Sequence, residues 1–396
     1  MKILFITGLH PLASNPMSGI FITRRLKKLK EHGVDYDLYY FSERISPLAR
    51  LLKGTFKRPS FKEKKAIRVH GVQYSPLPVA MSATDMVFYH KRIGPILANA
   101  IKKAVNLKAY DLLHAIWVYP HGYAAALLKQ ETGLPCVVSA HGSDIHTNPE
   151  KFPRSLPAVL FALENCDRAL FNNYKLLEKA RELGYKGANA TVIPNGVDTS
   201  VFMPLEKESA RAGLGLAPPP VKYVGFVGNL KPVKGADRLP EIFREIARQY
   251  EPVRFVVIGG GSLRRMIEQK CRSYNLAVQF TGTIATEAMP AWMSALDVLI
   301  LPSRKEGFPN VCLEAQACGC PVVGSSAGGI PEAVGDGGDI VAGAESNFAQ
   351  EMSNKVIRLL EKPLPRERLR ERALQFDWDR IILKQIKMYE ELLKEG

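Results

Sequence analysis

The chain has 396 residues, 46% apolar and 23% charged, a soluble globular composition long enough for two or three domains. That balance excludes a disordered tail, a fibrous repeat and a small disulfide scaffold. The net charge of +15 is uneven: residues 1–200 carry 13 more basic than acidic side chains and residues 201–396 only 2 more, so the first half is suited to meet a membrane surface, a nucleic acid or an anionic substrate.

Short apolar runs alternate with stretches of helical period. Strands are expected at Ile3–Thr7, Tyr36–Phe41, Leu112–Trp117, Cys136–Ala140, Ala169–Asn172 and Thr191–Pro194. A second set follows at Tyr223–Gly228, Arg254–Gly259, Val278–Gly282, Val298–Pro302, Val322–Ser325 and Asp339–Ala342. Runs such as Val256-Val257-Ile258 are apolar on both faces, as in the buried strands of parallel sheets. Helix-length segments lie between them, including Ile20–Glu31, Arg238–Gln249 and Arg264–Tyr274. The chain therefore reads as doubly wound α/β. The pattern restarts near residue 221, after Pro218-Pro219-Pro220, which continues neither a helix nor a central strand. Two domains are expected, 1–200 and 201–378, with an amphipathic helix from Trp378 closing the chain. Open α/β sheets bind ligands beyond the carboxyl ends of their strands, which makes a cleft between the domains the expected site.

Six cysteines, at 136, 166, 271, 312, 318 and 320, show no CxxC spacing and sit mostly in apolar runs. They read as buried free thiols, which fits a reducing cytosol. The N-terminal apolar run is too short for a signal peptide, and no stretch approaches 18 apolar residues. A cytoplasmic protein is expected, one that acts on a membrane from its surface.

Four segments carry chemistry. In Pro302-Ser303-Arg304-Lys305-Glu306-Gly307-Phe308-Pro309-Asn310-Val311-Cys312-Leu313-Glu314, a loop follows a buried strand and a helix starts near Asn310. Glu306 in the loop and Glu314 one turn into the helix are acceptors suited to paired sugar hydroxyls, and the helix start offers amides to phosphate. A solvated charged loop would show the same two glutamates. Gly228-Asn229-Leu230-Lys231-Pro232-Val233-Lys234-Gly235 is a glycine turn into a helix, with Lys234 placed to neutralise a phosphate. Gly259-Gly260-Gly261 is a further strand-to-helix turn without the GxGxxG spacing of a dinucleotide oxidoreductase. Near the N-terminus Ser18-Gly19 precedes a helix, and Gly19 allows close backbone approach to a phosphate. All eight histidines lie between positions 10 and 146. His141, after the strand Cys136–Ala140, projects from a carboxyl end and is suited to stabilise charge on a reacting sugar. His10, His114 and His121 are assigned to carboxyl-end loops as weaker candidates for acceptor contacts.

The set resembles the family 4 retaining glycosyltransferases. Glu306 and Glu314 match that family's E-x7-E motif, and the Gly228–Gly235 and Gly259–Gly261 turns, Asn195-Gly196-Val197-Asp198 and Gly328-Gly329-Ile330-Pro331-Glu332 are similar too. The resemblance spans nearly the whole chain and is tightest over 221–335. Ser18-Gly19-Ile20-Phe21 looks most like bacterial cell-surface polysaccharide enzymes, including teichuronic acid glycosyltransferases. The resemblance implies the GT-B fold: two Rossmann-like domains facing across a cleft, with the last helix, 379–396, crossing back to the first. It implies transfer of a hexose-type sugar from a nucleoside diphosphate sugar, UDP first, to an acceptor hydroxyl with retention. No metal and no cofactor beyond the sugar nucleotide are implied.

By position, Glu306 would hold donor-sugar hydroxyls near Phe308, Pro309, Asn310 and Val311, and Glu314 the ribose. Lys234 and the Gly19 backbone would bind the diphosphate, Ile284 would meet the base through its main chain, and His141 would lie by the anomeric carbon. Asn229 stands where the family usually has arginine, and it brings a hydrogen-bond donor without charge. A nucleotide-sugar epimerase on the same fold and a non-catalytic sugar-binding relative are the alternatives.

The acceptor side is read from charge. Residues 44–68 hold Arg44, Arg50, Lys53, Lys57, Arg58, Lys62, Lys64, Lys65 and Arg68 against the single acid Glu63. The helix at 19–32 sets Ile22, Leu26 and Leu29 opposite Arg24, Arg25, Lys27 and Lys28. Basic clusters beside apolar surface bind anionic lipid. The expected partners are therefore a glycan or lipid-linked acceptor and the inner face of the cell membrane. No aromatic-basic motif points to nucleic acid.

Overall fold

The structure, a computed structural model, describes residues 1–11, 19–45, 66–343 and 345–395. It divides into two units, Met1–Pro194 with Ile381–Gly396, and Asn195–Arg380. The sequence reading put the change of domain at residue 200. Residues 195–200 go with the second unit because Val197 bridges to Asp377 and exchanges backbone bonds with Phe376 and Trp378, while Gly196 lies flat beneath the Trp378 ring.

The first unit holds eight strands: β1 (Lys2–Thr7), β2 (Asp35–Ile45), β3 (Ile67–Val69), β4 (Val72–Met81), β5 (Leu112–Ile116), β6 (Cys136–Ala140), β7 (Arg168–Phe171) and β8 (Ala190–Val192). Their order is β3-β4-β2-β1-β5-β6-β7-β8, parallel except for the antiparallel β3–β4 hairpin. The expected strands do not include this hairpin, whose second strand contains Pro76 and Pro78. Among the described residues β3 pairs with Val72–Tyr74 of β4, and from Ser75 onward β4 pairs with β2.

The helix Ile20–Glu31 buries Ile22, Leu26 and Leu29 as its spacing predicts, but Arg25 is buried with them at 4% exposure. Its guanidinium donates to Gln385 Oε1 at 2.8 Å and to the Pro194 carbonyl at 3.2 Å. Gln385 in turn donates to Tyr389 Oη, and Tyr389 bonds His114 Nδ1 at 2.6 Å, with Ser139 on the other ring nitrogen. This buried polar chain joins the final helix to β5 and β6. It corrects two expectations: Arg25 is no part of a cationic face, and His114 is a core residue inside β5 rather than an acceptor contact. On the exposed side of the same helix, Lys27 and Lys28 both reach Glu31. Of the basic stretch, residues 46–65 lie outside the described residues.

The second unit holds β9 (Lys222–Val227), β10 (Val253–Ile258), β11 (Val278–Gly282), β12 (Val298–Leu301), β13 (Val322–Ser325) and β14 (Gly338–Val341). All are parallel, in the order β11-β10-β9-β12-β13-β14. That is the Rossmann arrangement, whose order reverses between β9 and β12. Strands buried on both faces, such as Val298–Leu301, separate two apolar layers of this unit. The six cysteines are free and buried. Among the described residues no helix is long and apolar enough to cross a membrane.

Candidate functional site

In the second unit the reversal of strand order places the loops after β9 and β12 side by side. These are the loops of Lys234 and Glu306. Lys234 Nζ donates to Glu306 Oε1 at 2.6 Å, and the same oxygen accepts from Ser303 Oγ at 3.0 Å. Ser303 is itself fixed, because its carbonyl accepts from Ser325 Oγ at 2.6 Å. The close approach requires glycine: Gly235 has φ +65°, and a Cβ there would lie 1.9 Å from the Pro302 carbonyl oxygen. Gly328, at φ +52°, permits a matching approach to the Glu306 backbone.

The helix Asn310–Ala317 starts three residues after Gly307, with Pro309 as its N-cap. Proline before the first turn ends the loop and leaves the amides of Asn310 and Val311 without intrahelical acceptors. Among the described residues Asn310 Oδ1 is buried and has no hydrogen-bond partner. Phe308 is buried, with its ring 6.0 Å from that of Phe376. Glu314 is half-buried one turn on. Burial pushes the Cys312 thiol up, and both Glu306 and Glu314 add to that rise while Lys234 opposes it. One buried thiol thus senses the lysine and both glutamates of the motif. Ile284, half-buried past β11, packs on the core. Asn229 is exposed, and its carbonyl accepts from the Lys231 amide. The structure brings Lys234 and Glu306 into contact but joins the Asn229 side chain to neither.

In the first unit, β1 is flanked by β2 and β5, and the loops after β1, β5 and β6 gather at one end of the sheet. His141 lies between the Phe21 ring at 5.0 Å and the stacked Trp117 ring at 5.9 Å. Phe21 is two residues beyond Gly19, the left-handed N-cap of its helix. Asp144 holds the turn, accepting from the amides of His141, Gly142 and Val118. Burial pushes its carboxyl up nonetheless. Burial and then the Arg25 charge lower His141 to about 3, so its ring is neutral at any working pH. Among the described residues its Nδ1 is buried without a hydrogen-bond partner. His121 stacks on Phe41 at 4.8 Å and crowds Gly8, where a Cβ would lie 2.5 Å from the ring. His10 stacks on Tyr40 at 4.0 Å.

Residues 213–376 match the family described as Glycosyl transferases group 1, and residues 18–201 match Glycosyltransferase Family 4. The chain is 30% identical, over 85% of its own length and 83% of the relative's, to a Bacillus subtilis (strain 168) protein named as the teichuronic acid biosynthesis glycosyltransferase TuaC. The chain belongs to the family 4 glycosyltransferases. Solved structures agree on the fold. Sucrose-phosphate synthase from Thermosynechococcus elongatus superposes with a TM-score of 0.76 at 23% identity, each chain wholly covered. Anabaena HepE in complex with UDP gives 0.74 at 21% identity, over 99% of this chain and 100% of that one. The glycosyltransferase has the GT-B fold, with two Rossmann-like domains.

Sequence reading of this glycosyltransferase missed Arg304. Its guanidinium takes Asp237 with both nitrogens at 2.6 and 2.8 Å, the Pro232 carbonyl at 2.8 Å and Glu345 at 2.7 Å. Arg238 also reaches Glu345 and the Pro302 carbonyl. Arg238 first and Arg304 second hold the Glu345 carboxyl down at about 2. The clamp fastens the turn that carries Lys234 to the loop that carries Glu306. The sequence signal was arginine two residues before Glu306, which composition alone assigns to solvent.

Proposed function

We propose that this glycosyltransferase moves a hexose-type sugar from a uridine diphosphate donor to an acceptor hydroxyl, with retention, on a glycan or lipid-linked precursor. The observation that carries the reading is the Lys234–Glu306 contact at the switch point of the second sheet, beside the start of the Asn310 helix. A cation and free amides suit a diphosphate, and a carboxylate suits sugar hydroxyls. HepE, solved with UDP and with UDP-glucose, supports uridine. TuaC, named for teichuronic acid biosynthesis, supports a cell-surface acceptor.

In this reading Lys234, Gly19 and the helix amides bind the diphosphate. Asn229 lies along the same turn, Ile284 meets the base and Glu314 the ribose. Glu306 holds the sugar against Phe308, Pro309, Asn310 and Val311. The bond from the anomeric carbon to the phosphate oxygen breaks. The acceptor oxygen attaches on the same face, and its proton passes to the departing phosphate. The negative charge that develops on the departing diphosphate is stabilised by Lys234 and the amides, so the step draws on fixed electrostatics and positioning. His141, neutral and with an unpartnered nitrogen, contributes a polar contact to the reacting sugar.

The first test is the melting temperature with UDP, GDP and ADP. A ligand that binds only the native chain at a hundred times its Kd stabilises by about 2.7 kcal/mol. A rise selective for UDP is expected; no rise with any of the three would remove the donor assignment. Arg304→Met is expected to weaken UDP binding about tenfold, by loosening the Lys234 turn, while lowering the midpoint by only a few degrees, because its partners are half-exposed. Unchanged UDP affinity would show that the two amides donated to the Val233 carbonyl hold the turn unaided.

The membrane assignment is part of the same proposal: the basic first half is read as facing anionic lipid.

A further inference from the structure

Three of the most exposed large apolar side chains belong to two short segments of the first unit. Val87 is 61% exposed and Phe88 55%, at the junction of the helices Ala83–Val87 and Tyr89–Ala104. Phe152 is 45% exposed, in the segment between Asn148 and Ser155. The segments meet through His90, whose ring is 6.2 Å from that of Phe152 and 6.2 Å from that of Tyr119. Tyr119 Oη bonds His90 Nδ1 at 3.3 Å. Cations surround the apolar groups: Lys91, Lys151 and Arg154 are exposed, and Lys151 Nζ lies 5.5 Å from the Phe152 ring centre. Of the two acids, Glu150 is adjacent in sequence, and Asp85 is already taken by Arg92 at 2.9 Å and by the Ser82 cap.

The helix of Val87 begins just after β4, and the segment of Phe152 follows His141 after β6. Both stand at the carboxyl end of the first sheet, the end that carries His141. We propose that this patch docks the glycosyltransferase on an anionic lipid bilayer, with Val87, Phe88 and Phe152 entering the headgroup–acyl boundary and Lys91, Lys151 and Arg154 meeting lipid phosphates. Aromatic and aliphatic tips ringed by long cations are the chemistry of an interfacial anchor. A soluble polyanion would have use for the cations but none for an exposed valine. The consequence is local: a lipid-linked acceptor would reach the His141 loop without leaving its membrane. The inference rests on the reading of the chain as a membrane-surface enzyme, and it names the surface.

The test uses the full chain and vesicles of phosphatidylcholine with or without about 30% phosphatidylglycerol. Wild type is expected to float with the anionic vesicles only. Phe88→Ser with Phe152→Ser is expected to reduce that partition at least tenfold, and Lys91→Glu with Lys151→Glu and Arg154→Glu to do the same. Melting with UDP stays as in wild type, which separates failure of the patch from misfolding and from failure of the donor assignment. Phe88→Trp is expected to shift blue and to be quenched by brominated acyl chains. Wild type that ignores both vesicles would overturn the membrane reading and this surface with it. Variants that float like wild type would overturn the surface alone. Tryptophan at 88 that responds to soluble polyphosphate but not to brominated lipid would make the patch a polyanion site and overturn the proposal too.

Discussion

Glu306→Ala is expected to lower sugar transfer by about a hundred- to a thousandfold while free UDP binds as tightly as before, or tighter. The two effects have one source. Lys234 is paired with Glu306 at 2.6 Å. A diphosphate must share that cation, so removing the carboxylate releases Lys234 to the phosphates. The sugar then loses the group that fixes its hydroxyls, and interactions of this kind are worth about a hundred- to a thousandfold in rate. Lys234→Ala is expected to do the reverse to nucleotide affinity, weakening UDP at least tenfold and slowing transfer with it. The structural cost of Glu306→Ala is about 1–3 kcal/mol, because the buried Ser303 hydroxyl loses its acceptor and the partly exposed Lys234 loses its ion-pair partner. Calorimetric titration with UDP, transfer assays and a melting curve on each variant separate these effects. Turnover retained in a folded Glu306→Ala chain would remove that residue from the mechanism.

Lowering the pH from 7 to 5 is expected to take about 5 kcal/mol from the stability of the first unit. Burial lowers His121 and His141 to about 3, and His114 well below its ordinary 6.5. Each folded histidine stays neutral where the unfolded one takes a proton. The unfolded chain therefore binds more protons, and stability falls as pH drops through 6.5. Each histidine contributes about 2 kcal/mol over that interval. Asp144 acts in the opposite direction, since its raised carboxyl favours the folded state in acid, whereas His90, lowered by burial and by Arg154, adds to the three. Asp37 and Asp85, held below the usual 3.8, lose their contribution only at still lower pH. Hydrogen exchange of the β1 and β5 amides across this range reads the first unit separately from the second. His121→Leu is expected to flatten the slope by about a third. A flat profile in the wild type would mean that these histidines are solvated.

The second unit was nearly legible from sequence. Its strands are short and apolar on both faces, its turns are marked by glycine, and the Glu306–Glu314 spacing straddles a helix start that proline announces. The first unit was less so, for physical reasons. Pro76 and Pro78 lie inside the strand β4, where their residue type argues against a strand. Arg25 sits among lysines on a helix that looks amphipathic, yet Gln385, 360 positions away, draws it into the core. His114 looks like a loop residue until Tyr389 covers it. Local pattern identifies residues whose neighbours are close in sequence. It fails where a buried polar group is satisfied by a partner from the other end of the chain. Arg304 failed for a related reason: a lone arginine says nothing until Asp237 and Glu345 are placed around it.

The final helix has a consequence for synthesis. Its residues from Ile381 belong to the first unit, whereas residues 195–380 form the second. The second unit is therefore continuous and can close as soon as it leaves the ribosome. The first cannot, because Arg25 awaits Gln385 and His114 awaits Tyr389. At about 5–20 residues per second, the intervening 186 residues take roughly 10–40 s to make. During that time Arg25 lacks Gln385, His114 lacks Tyr389, and the apolar side chains Ile381 and Ile382 have yet to be added to the core of the amino-terminal unit. The usual order of domain maturation is thus inverted: the half made first is finished last, and it is the half that most needs a chaperone while it waits.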